Sequence, residues 1–230
     1  MSNIRHGTDL DVTKNLQDCA KQIREIAYKL PVSPVNDFVG FTAQRTLIYV
    51  ASEIGSAPTA LRNDIKQFAW RTRNIFEALL IIRNIILDSD FAEAFCALKI
   101  QEEKTILDKI LKLAFSDVDY VDPIVERTIK AREILTEYGF DKIGPDLAKG
   151  LVDLIKKKDK ENQGFYFEEY EGFYKLYSKY VHPSAWTILS DSDEFENETY
   201  WEILILNSQT YAHRCRESGL ELLGNRALST

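Results

Sequence analysis

The chain has 230 residues, of which 45% are hydrophobic and 28% charged, an ordinary balance for a globular protein with a full core. Its formal net charge of −7 argues against a broad nucleic-acid-binding surface but is compatible with a small basic site. The longest apolar run, Ala78 to Ile82, ends at Arg83 and is too short to span a membrane. The first residues do not show a basic segment followed by an apolar run, as a signal peptide would. We therefore expect a cytoplasmic protein with no signal peptide and no membrane partner.

The three cysteines, Cys19, Cys96 and Cys215, are far apart, and each lies in an apolar helical pattern. This distribution is typical of reduced core thiols and not of disulfide pairs. The cysteines and histidines show no metal-ligand spacing, so we predict neither a metal nor another cofactor.

The first half of the chain predicts four helices, over residues 9–30, 34–54, 56–87 and 90–115. In the first of them, apolar residues recur at intervals of three and four. Ser33 and Pro34 have the residue types of a cap and a first helical position, so they predict the start of the second helix, and Gly55 predicts its end. Asp90 and Glu93 have the spacing of a capping box for the fourth helix.

The second half predicts further helices over residues 122–139, 145–157, 165–182 and 198–223. Gly139 predicts the end of the first of these, and Pro183 predicts an end at His182 because the residue before a proline avoids helical angles. No convincing segment has the two-residue period of a strand. We therefore predict an all-α bundle of about eight helices, with an N-terminal helical extension over residues 1–55 and the bundle proper over 56–230.

Residues 70–87 predict a central helix with a polar strip. The helix is apolar almost all the way round, which is typical of a helix in the middle of a bundle. Arg73 and Glu77 are one turn apart, and Asn84 continues the same face. Because desolvating an unpaired charge costs several kcal/mol, we expect a positive partner for the Glu77 carboxylate.

The aromatic-rich helix over residues 165–182 carries the other candidate site residues. Its aromatic stripe, which includes Tyr177, could stack on nucleobases, but packing against the central helix is the interpretation we favour. Tyr174, Ser178 and His182 share one face at four-residue spacing. If the two helices pack side by side, His182 reaches the polar strip. An arginine and a histidine together suit phosphodiester cleavage, since the first stabilises phosphate charge and the second moves a proton.

These two motifs together carry a resemblance to a known family. Arg-x-x-x-Glu at Arg73 to Glu77, combined with Tyr-Ser-Lys-Tyr-Val-His-Pro-Ser at Tyr177 to Ser184, resembles bacterial helical proteins related to the HEPN superfamily. The resemblance covers about Asn63 to Thr187. It implies a HEPN-like helical core, commonly dimeric, in a toxin–antitoxin, phage-defence or RNA-processing system. It also implies metal-independent ribonuclease activity, which in many HEPN domains uses an arginine shortly before a histidine.

By this resemblance His182 matches the catalytic histidine, but the sequence departs from the pattern at the arginine. The nearest cations upstream of His182 are Lys175 and Lys179, so the arginine would come from another helix, with Arg73 as the candidate. The predicted catalytic residues are His182, Arg73, Glu77 and, as a weaker nucleophile candidate, Ser178; the predicted binding residues are Asn84, Tyr174 and Lys179.

Two functions follow from these residues. The first is a HEPN-like defence or toxin protein that cleaves RNA or acts on a nucleotide through His182 and Arg73. The alternative is a non-catalytic interaction or regulatory subunit that binds a protein partner or a second copy of itself. In that case the cluster of Arg73, Glu77 and His182 only fixes the helix register, as buried ionic networks often do.

Overall fold

The computed structural model describes residues 7–32, 37–113, 121–139, 169–182, 188–189, 191 and 196–227. These residues define seven α-helices and no strand, against about eight helices predicted, so the all-α prediction is confirmed. The helices are α1 (Asp9–Lys29), α2 (Phe38–Ser56), α3 (Ile65–Leu87), α4 (Ser89–Leu113), α5 (Val121–Glu137), α6 (Lys175–Val181) and α7 (Glu198–Ala227). A 3-10 turn (Ala57–Thr59) follows α2, and a π-helical turn (Tyr170–Tyr174) leads into α6. The helix predicted over 145–157 lies outside the described residues.

Helix α3 lies at the centre of the bundle, as its apolar circumference predicts. It packs against α2, α4, α6 and α7. The Phe76 ring lies 4.6 Å from the Tyr211 ring of α7, and the Phe68 ring lies 5.7 Å from that of Trp201. Burying a side chain of this size stabilises the fold by about 1.5–3 kcal/mol, so α3 supplies much of the core energy.

The two N-terminal helices belong to the same hydrophobic core. Buried side chains of α1 and α2, such as Leu16, Ile23 and Leu47, join one cluster with those of α3, α6 and α7. Helix α4 packs on α2 and α3, and α5 packs on α4. None of the helices in the described ranges has an apolar stretch long enough to traverse a lipid bilayer.

Three helices start at aspartate caps and not at the residues predicted from sequence. Asp37, Asp64 and Asp88 each accept a hydrogen bond from a backbone N–H two or three residues later, at 2.8, 2.9 and 3.1 Å. A carboxylate that caps free N–H groups stabilises a helix start by about 0.5–2 kcal/mol, which explains these positions. The predicted starts of α2 near residue 34 and of α3 at 56–58 are therefore wrong, although Ser33 and Pro34 themselves lie outside the described residues. The capping box assigned to Asp90 is also wrong, since Asp90 lies inside α4.

The helix ends follow the predictions more closely. Gly139 has a φ of +69°, a left-handed angle that favours glycine, and it follows α5 as predicted. His182 is extended, with φ −110° and ψ 143°, and ends α6 as the following proline requires. The prediction that Gly55 ends α2 is wrong, because the helix continues through it to Ser56.

A single arginine connects the starts of three helices. Arg62, in the turn before α3, adopts a left-handed φ of +60°. Its guanidinium binds the carboxylates of Asp9 at 3.2 Å, Glu198 at 2.7 Å and Glu202 at 3.3 Å. These contacts hold α1 and α7 against the entry to α3 and offset a backbone conformation that costs about 1–3 kcal/mol for a non-glycine residue.

Candidate functional site

The site begins with an ion pair on the central helix. Arg73 Nε donates to Glu77 Oε1 at 2.9 Å, between residues on successive turns of α3. The Arg73 side chain is 16% exposed and that of Glu77 is 35% exposed. The pair therefore lies at a solvent-connected edge of the bundle and not in a sealed core, and the carboxylate has a positive partner.

Two residues about a hundred positions later in the sequence complete the cluster around Arg73. Tyr174, the last residue of the π-helical turn, accepts a hydrogen bond from Arg73 Nη2 at 2.5 Å, and its ring centroid lies 4.6 Å from the Arg73 Cζ atom. His182, the exposed residue that ends α6, places its Nε2 atom 3.4 Å from Arg73 Nη1. Because a guanidinium only donates hydrogen bonds, this contact requires an unprotonated Nε2 on His182.

Arg73 retains hydrogen-bonding capacity after these contacts. A guanidinium has five N–H donors, and the contacts to Glu77, Tyr174 and His182 use three of them. One hydrogen on each terminal nitrogen has no acceptor among the residues that the structure describes. The cluster thus places a guanidinium, held by Glu77 and Tyr174, next to an exposed imidazole.

The remaining predicted site residues lie at different distances from this cluster. The Ser178 carbonyl accepts the His182 backbone N–H at 3.1 Å, so their direct contact is part of the helical ladder. Lys179 is exposed on α6. Asn84 is not brought to the cluster: it is 0% exposed, about 16 Å along α3 from Arg73. Neither of its side-chain polar atoms has a hydrogen-bond partner among the described residues.

A second polar group, which the sequence analysis did not identify, lies on the α2 side of α3. Glu53 Oε2 accepts from Asn74 Nδ2 at 3.0 Å and from Arg71 Nη1 at 3.5 Å. Burial, together with the nearby carboxylates of Glu53 and Glu77, raises the pKa of Tyr49 to about 12. The sequence signal was the pair of polar residues at positions 71 and 74, on the turn of α3 that also holds Arg73.

A chain of buried hydrogen bonds connects α6 to α7. Asn207 donates to the Tyr177 hydroxyl at 2.8 Å, and that hydroxyl donates to Tyr211 at 3.3 Å. Burial raises the pKa of both phenols well above the usual range. Tyr177 is buried, so this residue of the aromatic stripe packs into the core, as the favoured interpretation expects.

The described residues show no arrangement of three or more histidine, cysteine, aspartate or glutamate side chains suited to a metal ion. Cys19 and Cys215 are buried free thiols, and burial raises the pKa of each. Thiols with raised pKa values are poor nucleophiles at neutral pH.

The chain was compared with known proteins. No curated protein and no solved structure matches it. Residues 61–199 match the model of DUF5677, described as a family of unknown function. The matched range includes Arg73, Glu77, Tyr174 and His182, the four residues of the cluster. Because the match covers more than half of the chain, the chain belongs to the DUF5677 family.

Proposed function

We propose that the protein is a HEPN-like, metal-independent ribonuclease of a bacterial defence or toxin–antitoxin system, with Arg73 and His182 in its active site. The observation that supports this proposal is the 3.4 Å approach of His182 Nε2 to Arg73 Nη1, between residues 109 positions apart. The arginine that the HEPN pattern places shortly before its histidine is here supplied from another helix. His182 is exposed and the Arg73 side chain is 16% exposed, so an RNA strand can reach the cluster from the side of His182.

The proposed reaction uses the 2′-hydroxyl of the RNA as the nucleophile. When RNA binds, His182 Nε2 exchanges its contact with Arg73 Nη1 for the 2′-hydroxyl and takes the hydroxyl proton. The hydroxyl oxygen attacks the adjacent phosphorus. The bond from phosphorus to the 5′-oxygen breaks, leaving a 2′,3′-cyclic phosphate, and the 5′-oxygen takes a proton from solvent. The N–H donors of Arg73 that are not bound to Glu77 or Tyr174 bind the non-bridging oxygens, where negative charge increases in the transition state. Glu77 and Tyr174 position the guanidinium for this role.

A second function is favoured by the hydrogen bonds that Arg73 already makes within the protein. Its contacts to Glu77 on α3 and Tyr174 before α6 fix the two helices in register. In that case the protein is a non-catalytic interaction or regulatory subunit, and the Arg73–Glu77–His182 cluster is structural. The two proposals differ in what the loss of His182 does to activity.

The decisive experiment compares the purified wild type with His182→Ala and Arg73→Ala on labelled single-stranded RNA in EDTA. We expect each substitution to lower the cleavage rate by about 10²- to 10⁴-fold. His213→Ala is the matched control, because His213 is also exposed and its Nδ1 atom lies 3.0 Å from Arg216 Nη2. Equal cleavage by the wild type and His182→Ala, or equally intact cellular RNA and growth when each is expressed in bacteria, would remove the case for catalysis.

Glu77→Ala separates the two functions through stability. For a pair this exposed, we expect a loss of no more than about 1 kcal/mol in the free energy of unfolding, together with a large loss of activity. A structural cluster would instead lose about 3–5 kcal/mol, the usual effect of leaving a buried charge unpaired. Urea unfolding and RNA cleavage measured on the same preparation decide between them.

A further inference from the structure

A large aromatic side chain lies on the surface next to the cluster. Trp70 is 43% exposed and precedes Arg73 by three residues, so the two side chains are neighbours on the same face of α3. The Arg71 Cζ atom lies 5.7 Å from the Trp70 ring centroid, which holds the ring by a cation–π contact. An indole held in this way, with much of its surface in water, is a ready stacking surface.

A second exposed ring lies on the neighbouring helix α2. Tyr49 is 48% exposed and lies one turn before Glu53 on α2. Glu53 binds Asn74 and Arg71 of α3, so Tyr49 lies on the side of α2 that carries the contact with the polar residues of α3. Trp70 and Tyr49 are thus exposed rings on the two helices that share these charges.

The charged residues next to Trp70 on α3 balance. Arg73 pairs with Glu77 at 2.9 Å, and Arg71 pairs with Glu53 at 3.5 Å. Two guanidinium groups and two carboxylates sum to zero, and the whole chain has a net charge of −7. Attraction of phosphate groups alone therefore gives little affinity here, whereas base stacking on aromatic rings needs no net charge.

We propose that Trp70 is a nucleobase-stacking subsite for single-stranded RNA that delivers the adjoining phosphate to Arg73, with Tyr49 of α2 as a second exposed ring. This inference rests on the proposed function and adds to it the part of the substrate that gives affinity. It implies that the protein binds unpaired bases and not duplex, because bases inside a helix offer no free face for stacking.

The test is a binding measurement in the His182→Ala background, which keeps the RNA intact. Fluorescence anisotropy is recorded with a labelled single-stranded RNA octamer and with the same octamer carrying abasic positions. We expect Trp70→Ala to weaken binding of the intact octamer at least about fivefold and Trp70→Phe to retain most of the affinity. Tyr28→Ala is the control, because Tyr28 is 68% exposed on α1, away from the strip, and should change nothing.

The abasic octamer makes the test specific for stacking. We expect it to bind the Trp70-containing protein weakly, with no further loss on Trp70→Ala. Unchanged binding of the intact octamer by Trp70→Ala, the same loss with both octamers, or no RNA binding by the folded protein would each overturn the subsite.

The subsite and the proposed catalysis fail in different ways. Trp70-dependent binding without any His182-dependent cleavage would retain the subsite and remove the ribonuclease. Cleavage that needs His182 but is as fast in Trp70→Ala as in the wild type, with unchanged binding, would retain the ribonuclease and remove the subsite.

Discussion

Two buried asparagines with opposite hydrogen-bonding states give the sharpest prediction about stability. Asn84 of α3 is 0% exposed, and in the part of the chain that the structure describes neither its amide nitrogen nor its oxygen has a hydrogen-bond partner. Asn207 of α7 is 6% exposed, but its amide donates to the Tyr177 hydroxyl at 2.8 Å. Replacement of each by leucine, which branches at the same carbon, should change stability in opposite directions.

The magnitudes follow from the cost of burying a polar group. An unpaired buried amide costs about 1–3 kcal/mol of folding free energy, which its removal recovers. Strain from the larger leucine side chain offsets part of this gain, so Asn84→Leu should stabilise the fold by about 1–2 kcal/mol. Asn207→Leu removes the donor to a buried phenol, so it should destabilise the fold by about 1–3 kcal/mol. For a chain of this length, each kcal/mol corresponds to about 2–4 °C in melting temperature.

The assay is urea unfolding followed by circular dichroism, with thermal melting as a second measurement. An unchanged slope of the free energy against urea shows that the compactness of the two states has not changed. If Asn84→Leu destabilises the protein as Asn207→Leu does, then Asn84 has a hydrogen-bond partner and the reasoning is refuted.

Two further predictions concern a close approach and a buried phenol. Gly40→Ala should destabilise the protein by about 1–3 kcal/mol, because the new Cβ would collide with the Asp37 carboxylate and lie 2.9 Å from Arg226 Nη2. Gly224→Ala is the control and should stabilise the protein by about 0.5–1 kcal/mol, because no described atom lies within 4 Å of its new Cβ. Equal effects of the two substitutions on urea unfolding would contradict this prediction. Burial raises the pKa of Tyr177 above its ordinary value of 10.0, so above that pH the unfolded chain releases a proton that the folded chain retains and stability falls. Urea midpoints between about pH 8 and 11 should therefore decline, and Tyr177→Phe should flatten the decline although it lowers stability at neutral pH; the same slope in both proteins would refute this cause.

Part of the candidate site could be predicted from the residues because it depends on one helix. Arg73 and Glu77 are one turn apart on α3 whatever surrounds them, and the proline after His182 ends α6 at the imidazole by a local steric rule. The same local rules place Asn84 on the face of Arg73. Whether that face is open at one point and covered at another depends on the neighbouring helices, so the opposite environments of Arg73 and Asn84 could not be predicted.

The sequence by itself determined that the chain is helical, because apolar residues recur at the 3.6-residue period in helices such as α1, where Val12, Leu16 and Ile23 are buried. It did not determine which aspartate caps α2, α3 and α4, since several nearby residues could serve and tertiary packing selects one. Only the tertiary structure decided that Tyr174 and His182 meet Arg73. That meeting depends on how far α6 is rotated and where it crosses α3, and these are set by side-chain packing between segments about a hundred residues apart.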